Sequence, residues 1–180
     1  FDALAAEQAE LEAIIAAGAV LHYLEATEHK DMQHISAIAR IDEDKYVWLD
    51  KFTVRNLELV SSQNEGGVPL LQVLDQTVTP MGSRNLRKWM ILPLKDKQGI
   101  DERLQVVEQF YADEELTNKI LEHLRQVSDL ERLISKVAVG RINPRELLQL
   151  KRSLKSILPV KEILEKSASA ELKKLGDQLH

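Results

Sequence analysis

The chain has 180 residues, 44% of them hydrophobic and 29% charged, with a formal net charge of −5. That is enough for one domain with a sizeable core. Aromatics at 4% and an acidic balance argue against a base-stacking surface and against independent tight binding of duplex DNA. The absence of cysteine removes disulfides and thiolate metal sites, which is compatible with a reducing cytoplasm.

Residues 2 to about 28 are predicted to form one long helix, with Leu4, Leu11, Ile14, Ile15, Leu21 and Leu24 near helical spacing. Gly18 within it predicts close approach of another element, because mid-helix glycine costs about 1 kcal/mol against alanine. The longest apolar run, Ala13–Leu21, is too short for a bilayer. With Phe1 first and no basic leader region, no signal peptide is expected, and the start is expected to be a trimmed end. Residues 34–50 alternate in β fashion around Asp42-Glu43-Asp44, which predicts a small β-hairpin lying on helices. A short helix capped by Asp50 or Thr53 follows, then a loop over 61–69. That loop contains Gly66-Gly67 but no GxxxxGK[ST] pattern, so it is a turn and not a phosphate cradle.

Leu70, Leu71 and Leu74 begin another short helix. The next is marked at both ends: Thr79 as N-cap, Pro80 at the first position, Pro93 at the stop. Leu86, Trp89 and Met90 fall on one face of it and are predicted as its structural core. Arg84, Arg87 and Lys88 fall on another. Asp96 is predicted to cap a helix with Ile100, Leu104, Val107 and Tyr111 inward and Val106 and Phe110 beside them. Asp113 caps the next, with Leu116, Ile120, Leu121 and Leu124 inward. Ser128-Asp129-Leu130-Glu131 has capping form, and Gly140 ends that helix. Asn143-Pro144-Arg145-Glu146 opens another, with Leu147, Leu150, Leu154 and Ile157 as its buried stripe and Pro159 breaking or kinking it. A last helix starts at Ser169 and is read as the first part of a longer one. The fold class is therefore mainly α: an irregular multi-helix bundle with one β-hairpin.

None of the five histidines forms a His-x-x-x-His pair, and no G-x-S-x-G elbow occurs. No catalytic, cofactor-binding or metal-binding residue is predicted. Asp75, just before the capped helix, is expected to bond backbone N–H groups there or to pair with Arg84. Charge is uneven: residues 1–50 hold 3 Lys/Arg against 11 Asp/Glu, and residues 51–180 hold 21 against 18. Two basic strips result, over 84–97 and 141–161. Such strips are ordinarily solvated faces; the alternatives are contact with a neighbouring domain or weak phosphate contact.

The pattern Leu74-Asp75-x-Thr77-x-Thr79-x-Met81-Gly82-x-Arg84-x-Leu86-x-x-Trp89, with Arg55-Asn56-Leu57-Glu58-Leu59 before it and Asp129-Leu130-Glu131-Arg132 after it, resembles the core (lever) domain of the MutS family of DNA mismatch repair ATPases. Met90 and Gln72 depart from the commoner residues as packing substitutions. The resemblance implies that residues 1–180 form a single domain, the N-terminal part of that core, truncated in the first lever helix. On the same resemblance, the mismatch-reading, connector, clamp and ATPase domains are expected to be absent from these residues. It implies no catalysis in this segment, with ATP and Mg belonging to the parent protein. The parent is expected to be a bacterial, cytoplasmic homodimer on mismatched duplex DNA. The partners implied for this segment are the other domains of the parent chain, with Arg84, Arg87 and Lys88 as possible interdomain contacts; no membrane is involved. Two alternatives stand beside this: a MutS-like paralogue acting in recombination, and an unrelated helical protein-interaction scaffold.

Overall fold

A computed structural model describes residues 2–27 and 45–179, with residues 2–10 as backbone alone. Among the described residues there are nine helices: α1 (Asp2–Ala26), α2 (Lys51–Asn56), α3 (Leu70–Leu74), α4 (Pro80–Ile91), α5 (Lys97–Ala112), α6 (Glu114–Leu124), α7 (Leu130–Ala138), α8 (Pro144–Glu165) and α9 (Ala170–Asp177). The fold is mainly α, as the sequence predicts.

Most helix starts follow from local chemistry. Asp50, Thr79, Asp96, Asp113, Asp129, Asn143 and Ser169 each accept a first-turn N–H on a side-chain oxygen. These groups would otherwise lack a partner. Asn143 and Glu146 complete a reciprocal capping box. Gly140 ends α7 at φ +65°; its N–H reaches Val137 O at 3.0 Å, and Arg141 N–H reaches Lys136 O at 2.9 Å. That pair of bonds is the Schellman arrangement, which needs a left-handed residue.

The core lies in the C-terminal half. Ile120 of α6, Val160 and Leu164 of α8, and Leu172 of α9 are buried together. Val106 and Phe110 of α5 pack against them, as do Leu116, Leu124 and Leu175. α8 is the hub, packing on α6, α7 and α9, while α5 packs on α6 and α9. Gly176 lets α9 cross the end of α8: an added Cβ would stand 3.2 Å from both Leu164 Cβ and the Glu165 nitrogen.

Several faces differ from those predicted. α1 stands outside these packed pairs, with Leu11, Ile14 and Ile15 exposed and nothing within 4 Å of a Cβ at Gly18; that glycine marks no close approach among the described residues. In α5 the inward side chains are Val106 and Phe110, whereas Leu104, Val107 and Tyr111 are exposed. In α8 the buried positions are Ser153, Ser156, Val160 and Leu164; Leu147 and Leu154 are exposed. The reason is chemical. The N–H of Ser128, at the entry to α7, donates to Ser153 Oγ at 2.9 Å, so the inward face of α8 must offer an acceptor. Pro159 does not break α8, which runs unbroken through it. In α4 no residue is buried: Leu86 and Met90 are half-buried and Trp89 is exposed, so the predicted core of that helix is not closed within the described residues.

The first arm of the expected hairpin lies outside the described residues. The described part of the second arm pairs elsewhere in the chain: Tyr46 forms an isolated antiparallel bridge with Leu94. Val47 N–H donates to Pro93 O at 2.7 Å and Lys95 N–H to Lys45 O at 3.1 Å. Pro93 therefore both stops α4 and supplies a carbonyl that anchors the chain before α2.

Candidate interdomain contact site

The segment before α4 is a knot of short polar contacts. Asp75 Oδ1 accepts from Thr77 N–H at 3.1 Å and from Thr77 Oγ1 at 2.6 Å. Its other oxygen accepts from the Ser83 hydroxyl. Thr79 Oγ1 accepts from Gly82 N–H at 3.0 Å. Hydrogen bonds from Ser83, then from Thr77, hold the Asp75 carboxyl below the ordinary carboxylate value. Asp75 thus takes the turn-forming role and does not pair with Arg84.

Upstream, Glu58 adopts φ +48°, a left-handed geometry that is uncommon for a residue with a Cβ. Its carboxylate accepts from Gln63 N–H at 2.7 Å and from Ser62 Oγ at 3.1 Å. Leu70 N–H then donates to Glu58 O and Leu71 N–H to Leu59 O. The 61–69 loop is closed by these bonds, which is the turning role the sequence predicts for it.

Arg84 carries the longest-range polar contact of α4. Its Nη1 and Nη2 donate to the two oxygens of Asp129 at 2.7 and 2.8 Å, and its Nε donates to Glu131 at 3.0 Å. The fork is bidentate, the geometry in which arginine binds carboxylate best. It pulls the Asp129 carboxyl down to about 2, with the Arg132 N–H adding to the effect, and raises the arginine's own value. Asp129 is also the N-cap of α7. One carboxylate therefore caps α7 and ties it to α4, so Asp129 does more than the capping its sequence context predicts.

Of the predicted contact residues, Arg84 is engaged within the chain. Arg87 and Lys88 are exposed and make no ion pair among the described residues. Trp89, 42% exposed, lies under the Arg103 guanidinium of α5 at 3.8 Å from its ring centre. Trp89 and Arg84 thus fasten α4 to α5 and α7, and Arg87 and Lys88 face outward. The sequence hides the Arg84 partners because 45 residues separate Arg84 from Asp129. Among the described residues no group of His, Cys, Asp or Glu could hold a metal ion, and no helix is long and apolar enough to cross a membrane.

These features define a helical packing module: its polar clusters join one element to another, and its basic and apolar faces turn outward. The family model described as MutS domain III matches residues 52–180. The chain is 53% identical over 170 residues to the DNA mismatch repair protein MutS of Cytophaga hutchinsonii, covering 94% of this chain and 20% of that protein. It is 52% identical over 167 residues to that of Bacteroides fragilis (93% and 19%), and 53% over 169 residues to that of Christiangramia forsetii (94% and 19%). The chain belongs to the MutS domain III family. It spans about a fifth of the length of these relatives.

Proposed function

We propose that this chain is the first segment of the core of a bacterial DNA mismatch repair ATPase. In the whole protein it couples binding of mismatched DNA to ATP binding and hydrolysis, and it has no catalytic role of its own. The observation that carries this is identity of about one half, along nearly the whole chain, to a fifth of proteins named for mismatch repair. Those names also favour mismatch repair over recombination, and the family match removes the unrelated scaffold. Stiff helices joined by the Arg84 fork suit transmission, because packed elements move as units between discrete arrangements.

On this reading ATP and Mg bind elsewhere in the parent, whose expected state is a cytoplasmic homodimer. Arg87 and Lys88 remain the proposed interdomain contacts of α4. The test is the parent reading frame and its product. A nucleotide-binding motif downstream of residue 180, and ATP hydrolysis by the full-length protein that responds to a mismatch, are expected. ATP turnover by residues 1–180 alone, or a reading frame lacking that motif, would overturn the proposal.

A further inference from the structure

The inward face of α8 is used by Ser153, Ser156, Val160 and Leu164, and four other leucines of the helix are left exposed. Leu147, Leu148, Leu154 and Leu158 are 46–60% exposed and line a groove of about 990 Å³. Leu147 to Leu158 spans about 16 Å of helix at 1.5 Å per residue, room for about three turns of a partner helix. Three lysines, Lys151, Lys155 and Lys161, also line it. Lys151 and Lys155 make no ion pair among the described residues, and Lys161 reaches Glu165 only at 3.7 Å. Gln178 and Leu179, where the described chain stops, are part of the same wall.

We infer that this groove seats an acidic, leucine-bearing helix supplied by the parent protein directly after residue 180. The inference rests on the proposed function, which makes this chain part of a longer one. Three observations choose the occupant. The exposed leucines suit a hydrophobic helix face, and a phosphate backbone held by the lysines would leave them uncovered, so a helix fits the groove better than nucleic acid. The three lysines beside those leucines call for carboxylates on that helix. A second α8 packed symmetrically would set lysines against lysines. The relatives are about five times as long as this chain, and Leu179 delivers whatever follows it to the mouth of the groove.

Zero-length carbodiimide cross-linking of the full-length parent, read by mass spectrometry, tests this directly. The expected product joins Lys151 or Lys155 to an Asp or Glu in the first few tens of residues after 180. Acylation of these two lysines in the full-length protein should also be several-fold slower than that of exposed Lys97, and Leu154→Ser with Leu158→Ser should speed it several-fold. Links to residues 2–27, to a second copy or to a remote segment would overturn the inference, as would acylation as fast as that of Lys97. A parent that hydrolyses ATP in response to a mismatch but shows no such link sinks this inference alone. A reading frame without the longer protein sinks the proposed function first.

Discussion

At the scale of single residues, the signature before α4 is explained by hydrogen-bond geometry. Thr79→Ala should cost about 1 kcal/mol in chemical denaturation, the usual loss of an N-cap, and Thr79→Ser much less. Gly82→Ala should not bring the gain expected of alanine in a helix, because its Cβ would stand 3.0 Å from the capping Thr79 oxygen and 3.3 Å from Thr77 Cβ. The Arg84 fork makes a pH prediction with a definite sign. Asp129 titrates near 2 in the folded chain against an ordinary 3.8. Its contribution is therefore complete above about pH 4 and lost as pH falls to about 2. Melting temperature followed across that window should fall less steeply in Arg84→Ala than in the parent sequence. Trp89 and Leu172 make a matched pair. Leu172 is 1% exposed, and Leu172→Ala should cost about 2–5 kcal/mol. Trp89→Ala removes a half-covered ring and a cation–π contact and should cost about 1–2 kcal/mol in residues 1–180. Equal losses would show that Trp89 is as deeply packed as the core leucine.

At the scale of elements, the helices were legible and several of their faces were not. Caps are read within four residues, so Thr79, Asp96, Asp113, Asn143 and Ser169 mark their helices in the sequence as they do in the fold. Periodicity ranks faces by greasiness, and that ranking fails where a neighbour needs a polar group. α8 shows this: Ser153 is fully buried because the Ser128 N–H needs its hydroxyl. Ser153→Ala leaves that donor without its partner and should cost about 1–3 kcal/mol, more than Leu154→Ala on the exposed face of residues 1–180. In α5 the choice lay between two apolar faces, and the four-residue step from Val106 to Phe110 is the one that packs against the core cluster. Pro159 is a local rule overruled. Its ring removes one bond inside α8, but Val160 and Leu164 beyond it are core residues, and their burial holds the helix together. Pro159→Ala should therefore raise the melting temperature.

At the scale of the whole molecule, α4 is a lightly buried helix held by contacts from outside itself. Arg84 ties it to the start of α7, Trp89 to α5 through Arg103, and Leu94 to Tyr46. α7 and α5 in turn pack into the α6–α8–α9 core through α8 and α6. Two routes of contact thereby connect α4 to that core. If the parent couples DNA to ATP through this segment, Arg84→Ala should reduce the mismatch-dependent change in ATP hydrolysis while sparing the rate without DNA. Coupling energies between sites are about 1–3 kcal/mol, or about 5–150-fold, so a several-fold loss is the expected reading. An unchanged response to mismatched DNA would take the fork out of that path.

By itself the sequence determined where most of the helices begin, that one glycine-bearing loop turns the chain back, and which family the chain resembles. Each of these is written in short-range chemistry: a side-chain oxygen three residues from an N–H, a proline at a helix start, a run of motif residues in order. Only the tertiary structure decided which faces are inside, that Asp129 serves α7 and Arg84 at once, and that Leu147, Leu148, Leu154 and Leu158 of α8 look outward. Those outcomes depend on what lies opposite each helix after tens of intervening residues, and periodicity has no access to that.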